Sequence, residues 1–253
     1  MRETRVLVVD YTSDGMFTEM GRIPAVLPEG TAADHVHAIT TRRWVDDALR
    51  NYSHIILSPT GIPVPRNEDW FDDNCAQIRE IIQEKTPLLG VCFGHQILPQ
   101  VLGDLDGSAR APEAEYEIAE LRVSALIIND PVLAPLAADR FVYSMHSDSV
   151  IRQKAEAVGL QVLAWTEKCE AHALRLPGHP VWGVQFHPEV SREVFAEFLP
   201  KAAAKQNRPA PADDVINAVR NSPDHKRPDL MAAFLRITRD NFNEKPARTL
   251  AAE

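Results

Sequence analysis

Up to about residue 200, the chain alternates short apolar runs with amphipathic stretches. Continuously apolar runs at Arg5–Asp10, His54–Ser58 and Pro87–Val91 predict strands that are buried on both faces. Trp70–Glu84 places isoleucines on one helical face and predicts an amphipathic helix. This alternation is typical of a parallel sheet covered on both sides, so the pattern predicts a doubly wound, mostly parallel α/β fold. Weaker signals predict a strand at His35–Thr40 and helices at Trp44–Asn51 and Gly94–Leu102.

The pattern changes after Tyr116, where strand-like runs follow one another with few helices between them. This change predicts a smaller antiparallel section added to the main sheet. The predicted strands are Tyr116–Ser124, Val142–Tyr143, Gln161–Trp165, Ala171–Leu176 and Val181–Phe186.

The C-terminal part has a different composition. Residues 201–213 are rich in Ala, Lys and Pro and predict a linker. Asp214–Arg220 and Pro228–Phe242 predict helices, so we divide the chain into a main domain, residues 1–200, and a linker with a C-terminal helical extension, residues 201–253. The helices either pack against the main domain or form a dimer arm or a partner dock. The candidate packing residues are Leu230, Phe234, Leu235 and Ile237.

Composition narrows the class of protein. The chain has 253 residues, 45% hydrophobic residues and a formal net charge of -9. The acidic balance and the lack of a long Lys/Arg run argue against a nucleic-acid surface. The three cysteines are widely spaced without a CxxC pair, which predicts neither a disulfide framework nor a zinc site. No apolar run approaches the roughly 18 to 20 residues that span a bilayer, and the N-terminus lacks a signal-peptide pattern, so we expect a cytoplasmic protein without a membrane partner.

The segment Pro87–Gln96 places Cys92 between a predicted buried strand and the start of a helix, in a G-x-C-x-G frame. A nucleophile on such a sharp turn is lifted out of the sheet. The flanking glycines keep side chains away from the turn, and the helix N-terminus favours the reactive thiolate. Cys92 is therefore a candidate nucleophile, and the amide of Phe93 lies where an oxyanion would develop. Taken alone, the segment also fits a small buried cysteine at a strand end.

A cysteine nucleophile needs a base, and the base needs a group that orients it. His187 and Glu189 follow an apolar run that ends at Phe186, and Pro188 keeps the link extended. Two residues apart in an extended chain, both side chains project to the same side. Glu189 can therefore bind one imidazole nitrogen of His187 while the other nitrogen faces Cys92.

The other cysteines and histidines lack these settings. Cys75, in a predicted helix, and Cys169, in a predicted turn, are expected to be small buried residues. His95 lies in the helix after the candidate nucleophile and is expected to be structural. The histidines without a carboxylate at the same spacing behind a strand are His35, His37, His54, His172, His179 and His225.

Two motifs together resemble a known family. GVCFGHQIL and GVQFHPEV are similar to the two signature motifs of class I, triad-type glutamine amidotransferases, such as the glutaminase domain of GMP synthase, over about Arg5 to Leu199. The resemblance implies a doubly wound α/β sheet and attack by Cys92 on the side-chain amide of glutamine through a thioester. His187 would be the general base and acid, and Glu189 would orient it. This chemistry requires no metal and no organic cofactor.

The resemblance also assigns substrate-binding positions. Gln96 matches the motif glutamine that contacts the substrate, and His146, Ser147 and Asp148 belong to a segment similar to the one that holds the glutamine α-amino and α-carboxyl groups. The oxyanion loop departs from the family pattern. Thr60 in Ser58–Pro63 stands where the oxyanion loop usually has a glycine, and Gly61 is displaced by one position. An amide of Thr60 or Gly61 can still donate to an oxyanion, although threonine disfavours positive φ.

Three functions remain open. The first is a glutamine amidotransferase subunit that supplies ammonia to a separate synthase, because the chain has no P-loop and no room for an acceptor domain. The second is a free-standing γ-glutamyl hydrolase that uses the same triad on a γ-glutamyl compound. The third is a non-catalytic binding or regulatory protein. A homodimer is also left open.

Overall fold

A computed structural model describes residues 4–12, 23–65, 68–205 and 207–242 of the chain. In this part of the chain an eight-stranded sheet has the order β2-β1-β3-β4-β10-β9-β8-β6, and β5 and β7 form a separate two-stranded sheet. The strands are β1 (Arg5–Asp10), β2 (Ala32–His37), β3 (His54–Leu57), β4 (Leu88–Val91), β5 (Ser108–Glu120), β6 (Arg122–Val123), β7 (Phe141–Val150), β8 (Gln161–Trp165), β9 (Ala173–Leu176) and β10 (Val181–Val184).

Helices lie on both faces of the main sheet and against the β5–β7 pair. They are α1 (Ile23–Val26), α2 (Val45–Asn51), α3 (Asp69–Gln83), α4 (Phe93–Gln96), α5 (Leu98–Val101), α6 (Pro135–Ala138), α7 (Arg152–Ala157), α8 (Arg192–Lys205), α9 (Asp213–Asn221) and α10 (Pro228–Leu235). Short 3-10 turns lie at Ala125–Asn129 and Asp240–Phe242. None of these helices is long and apolar enough to cross a membrane.

The core lies on both faces of the main sheet. Strand β3 shows this directly, because Ile55 and Leu57 contact one hydrophobic cluster and Ile56 contacts the other. The first cluster contains the isoleucines of α3, and the second contains Phe234 of α10. Strands buried on both faces explain the continuous apolar runs in the sequence. The predicted doubly wound α/β fold is confirmed.

The antiparallel section is also confirmed, with a difference in its extent. Strands β1, β2, β3, β4 and β10 pair in parallel, while β9, β8 and β6 continue the sheet antiparallel. Strand β5 begins at Ser108, earlier than predicted, and β7 continues to Val150, well beyond the predicted Val142–Tyr143. The two long strands pair with each other from Ser108↔Val150 to Glu120↔Phe141. These strands contain many polar residues, so a search for apolar runs did not detect their full length.

The last C-terminal helix, α10, packs against the main sheet. Leu230, Phe234 and Ile237 are buried, and the ring of Phe234 lies edge-on to Trp182 of β10 at 6.4 Å between centroids. Leu235 is partly buried against the same cluster. The prediction of one helix over Pro228–Phe242 was wrong, because α10 ends at Leu235 and a 3-10 turn follows at Asp240–Phe242.

The predicted linker also begins later than expected. Helix α8 continues to Lys205, and Ala202 and Ala203 are buried in its last turn. Alanine and lysine are good helix formers, so the composition that predicted a linker here is equally suited to a helix. The division of the chain into two units at residue 200 remains a prediction.

Candidate active site

Cys92 lies on a strained turn between β4 and α4. Its φ is 49° and its ψ is -101°, a backbone conformation that is unfavourable for any residue with a side chain. The flanking glycines make the turn possible. A Cβ on Gly94 would lie 2.5 Å from the Cβ and the carbonyl oxygen of Leu57, and a Cβ on Gly90 would collide with the backbone of Gly94. The G-x-C-x-G frame therefore follows from close backbone packing around the cysteine.

The second motif arrives at the same edge of the sheet. Strand β10 is the parallel neighbour of β4, with Val184 opposite Val91, so the chain after each strand emerges side by side. His187 Nδ1 lies 2.8 Å from Glu189 Oε1, and the amide of His187 donates to the carbonyl of Tyr143 at 2.9 Å. Both His187 and Glu189 are buried.

The electrostatics of His187 depend on two neighbours, Glu189 and Cys92. Burial lowers the pKa of His187, but its interactions with Glu189 and with Cys92 outweigh burial and raise the pKa well above the usual value. Cys92 and His187 line the same pocket.

One pocket collects most of the residues singled out from the sequence. It is bounded by the main sheet on one side and by β5 and β7 on the other. The sequence-predicted residues that line it are Thr60, Gly61, Cys92, Gln96, His146, Ser147, Asp148 and His187.

Two of the predicted site residues lie outside the pocket lining. The ring of Phe93 packs against Tyr11 at 4.9 Å between centroids, so any role of this residue at the site would come from its backbone amide. Glu189 lies behind His187. His95 is fully buried, and burial lowers its pKa to about 3.

Gln185 is a site residue that the sequence reading missed. Its side-chain amide donates to Cys92 Sγ at 3.5 Å, and its Oε1 accepts a hydrogen bond from Gln96 Nε2 at 3.2 Å. Gln96 Nε2 also donates to the carbonyl of Asp148 at 2.7 Å. The two glutamines thus connect the thiol to the Asp148 side of the pocket. The signal was present, because Gln185 lies inside the GVQFHPEV motif.

Tyr116 and Lys205 also line the pocket without having been predicted. The hydroxyl of Tyr116 shares a hydrogen bond of 2.7 Å with Ser147 Oγ, and burial raises the pKa of this tyrosine. Lys205 reaches the pocket because α8 extends further than the composition suggested. Neither residue lies near a recognisable motif, so the sequence offered no basis for predicting them as site residues.

The loop with Thr60 adopts a conformation that threonine tolerates. Among the described residues other than glycine, only Lys85, Cys92 and Asn207 have positive φ, and Gly61 is not one of the glycines with positive φ. Thr60 is nearly buried and lines the pocket. The departure from the expected glycine therefore creates no backbone strain at this position.

The sequence and the fold identify the family. The family model for glutamine amidotransferase class-I matches residues 30–205. The chain belongs to this family. The chain is 33% identical over 133 residues to a subunit of the glutamine-hydrolysing GMP synthase of Pyrococcus abyssi, in an alignment that covers 52% of this chain and 66% of that protein. It is 36% identical over 119 residues to the protein of the same name from Thermococcus kodakarensis, covering 47% of this chain and 59% of that one. Each alignment spans slightly less than two thirds of the relative.

Solved structures agree on the fold of this chain. A glutamine amidotransferase from Thermotoga maritima superposes with a TM-score of 0.61 at 18% identity, covering 97% of this chain and 100% of that chain. A putative GMP synthase subunit from Thermoplasma acidophilum gives 0.56 at 19% identity, covering 82% of this chain and 98% of that chain. At these identities the likeness establishes the fold, and the resemblance stated from the two motifs is confirmed at the level of the family.

Proposed function

We propose that this amidotransferase hydrolyses the side-chain amide of L-glutamine to glutamate and ammonia through a thioester on Cys92. The observation that carries the proposal is the arrangement of Cys92 on a strained turn in one pocket with His187, whose orientation is held by Glu189. A thiol, an imidazole and a carboxylate in this order form the nucleophile, base and orienting group of covalent amide hydrolysis.

In the first half of the reaction, Cys92 Sγ attacks the amide carbon of glutamine. His187 accepts the thiol proton of Cys92 before attack, and the raised pKa of His187 favours its keeping that proton. The oxyanion that forms accepts hydrogen bonds from the amide of Phe93 and from that of Thr60 or Gly61. His187 then protonates the amide nitrogen, the carbon–nitrogen bond breaks, and ammonia leaves a glutamyl thioester.

In the second half, water replaces ammonia. Neutral His187 accepts a proton from water as the water oxygen attacks the thioester carbon. The carbon–sulfur bond breaks, glutamate leaves, and the proton on the imidazole restores the thiolate–imidazolium pair. Glu189 binds His187 Nδ1 and acts by fixing the orientation of the ring and stabilising its positive charge.

We further propose that the ammonia is used by a separate synthase subunit. The similar proteins from Pyrococcus abyssi and Thermococcus kodakarensis are each named as one subunit of a glutamine-hydrolysing GMP synthase. The family match and the described fold account for residues 30–205 as a glutaminase-type domain, which supports delivery of ammonia to a partner.

The test is release of glutamate and ammonia from L-glutamine by purified wild type, Cys92→Ser and Cys75→Ser. Cys75 is a matched control, because it is a buried thiol in α3 whose pKa burial raises to about 12. We expect turnover to disappear in Cys92→Ser and to persist in Cys75→Ser. Full turnover by Cys92→Ser would disprove the mechanism. If wild type turns over only with a partner present, labelling of Cys92 by a glutamine-mimicking alkylating agent gives the same comparison.

One observation favours a second function, a free-standing γ-glutamyl hydrolase. Thr60 replaces the glycine expected in the oxyanion loop and lines the pocket, so it alters the surface that meets the substrate amide. The same assay with a panel of γ-glutamyl amides and peptides separates the two functions. Turnover of a conjugate with L-glutamine ignored would replace the first proposal by the second. A Cys92 that neither turns over nor reacts would favour a non-catalytic binding protein.

A further inference from the structure

A second cluster of reactive side chains lies behind the Asp148 side of the pocket. Its centre is the carboxylate of Glu115, which is 1% exposed. Glu115 Oε2 lies 3.0 Å from His146 Nε2 and 2.5 Å from His172 Nε2. It also accepts a hydrogen bond from Ser144 Oγ at 2.8 Å, and Thr166 Oγ1 donates to the other oxygen, Oε1. The cluster therefore joins β5, β7 and the segment between β8 and β9.

Both ring nitrogens of His146 face hydrogen-bond acceptors. Its Nδ1 lies 3.0 Å from the backbone carbonyl of Asp148, and its Nε2 faces the Glu115 carboxylate. Both partners are acceptors, whereas a neutral imidazole carries one N–H. With that N–H donated to Asp148, the lone pair of Nε2 points at an oxygen lone pair of Glu115. Either a second proton or a metal cation must lie between these two atoms.

A third donor favours a metal cation over a proton. One ligand atom from each of His146, Cys169 and His172 lies within 4.8 Å of the others. All three side chains are buried. A proton would bridge two atoms, whereas a metal cation is bound by three or more ligand atoms. Cys169 precedes His172 by three residues, a short spacing that lets one turn present both donors.

We propose that His146, Cys169 and His172 form a binding site for a divalent transition-metal ion, with Zn²⁺ as the best match. Imidazole and thiolate are ligands of tetrahedral zinc. The Cys169 thiolate and the neighbouring Glu115 carboxylate balance the charge of the ion, so the buried site would be neutral. The hydrogen bond from His146 Nδ1 to the carbonyl of Asp148 is the contact that usually orients a metal-bound imidazole.

Binding requires a small adjustment. With metal–nitrogen bonds of about 2.0 to 2.1 Å and a metal–sulfur bond of about 2.3 Å, neighbouring ligand atoms lie roughly 3.3 to 3.6 Å apart in a tetrahedron, closer than the 4.8 Å limit within which they lie here. The side chains would move together around the ion, and the Cys169 thiol would lose its proton to solvent on binding. The ion would then tie the strand that carries His146 to the segment that carries Cys169 and His172. The site is separate from Cys92 and does not depend on the proposed hydrolysis.

The test uses the full chain with Co²⁺ as a spectroscopic probe for Zn²⁺. The metal content of protein purified without chelators is measured, the metal is removed, and Co²⁺ is added back. We expect about one zinc per chain and an intense near-ultraviolet thiolate-to-cobalt band in the reconstituted protein. The band should be lost in Cys169→Ser, reduced in intensity or shifted in His172→Gln, and retained in Cys75→Ser and Cys92→Ser.

The controls make the result decisive. Cys75→Ser tests for binding to another buried thiol, and Cys92→Ser tests for binding to the nucleophile. A band that survives Cys169→Ser and disappears in Cys92→Ser would overturn the proposal, as would the lack of both zinc and a band in folded wild type. Melting curves confirm that each variant is folded. Glutamine hydrolysis by metal-free protein would leave the proposed function standing when the metal site fails.

Discussion

The two sides of the pocket are built in different ways. The side with Cys92 and His187 belongs to β4 and β10, adjacent parallel strands with every residue buried. The side with His146 belongs to β7, paired with β5 in a separate sheet. On the first side a short motif follows each strand and contains the reactive groups. On the second side the position of His146 depends on Glu115, His172 and Asp148, which come from elsewhere in the chain or from the backbone. Local turns position the proposed chemistry, and long-range contacts position the substrate-facing wall.

The largest expected effect comes from the first side. His187→Ala should reduce turnover of glutamine by about 10⁴-fold or more, because members of a triad act as a unit. Glu189→Gln should reduce turnover less, because Glu189 only orients His187 and stabilises its positive charge. Its carboxylate raises the pKa of His187, so its loss lowers that pKa, and the imidazolium should disappear at a lower pH. The measurement is the rate of glutamate release against pH. An alkaline limb that stays in place in Glu189→Gln would contradict this assignment.

A smaller effect of a different kind is expected from the second side. Glu115→Gln keeps the size of the side chain but removes the charge that meets His146 and His172. The wall that holds Ser147 and Asp148 should loosen, so KM for glutamine should rise about tenfold while kcat falls less. Steady-state kinetics of Glu115→Gln measure both constants. Glu117→Gln is the control, because Glu117 lies on the same strand and pairs with the half-exposed Lys168. A loss in kcat alone would mean that Glu115 acts on the reaction step.

The last expected effect is on stability and leaves turnover unchanged, and it comes from a histidine that belongs to neither side. Burial lowers the pKa of His54 to about 4, and its Nε2 donates to the carbonyl of Ile237 at 2.9 Å. Below the unfolded pKa of about 6.5 the unfolded chain binds more protons than the native one. The free energy of unfolding should therefore fall as the pH drops from about 6.5 to about 4, by up to about 3 kcal/mol. His54→Gln should flatten that part of the stability curve, as measured by urea unfolding. An unchanged slope would assign the acid sensitivity to other histidines.

The same contrast explains what the sequence could predict. Strands β4 and β10 are continuous apolar runs next to signature motifs, so their positions and the convergence of Cys92 with His187 followed from the chain. Parallel neighbours in the sheet put both motifs at one edge. The roles of these residues in the reaction stay predictions until turnover is measured.

The structure of the second side was harder to predict from the sequence. Strand β7 contains Ser144, His146, Ser147 and Asp148, and such polar residues give no strand signal. Glu115 contacts His146 and His172 only in the folded chain. No spacing in the sequence predicts contacts between residues so far apart. The length of α8 was missed because Ala and Lys suit a linker and a helix alike.

The packing of α10 determines whether the C-terminal residues can be removed without disturbing the rest of the protein. Trp182 belongs to the strand that leads to His187, and Phe234 and Phe242 lie edge-on against its ring. Cutting the chain at residue 200 would remove these two rings and open Trp182 to water, on the strand that leads to the proposed catalytic histidine. We therefore expect the boundary drawn from composition to be a poor place to shorten the protein. The family match ends at residue 205, yet Phe234 lies in the same hydrophobic cluster as Trp182 and Val184.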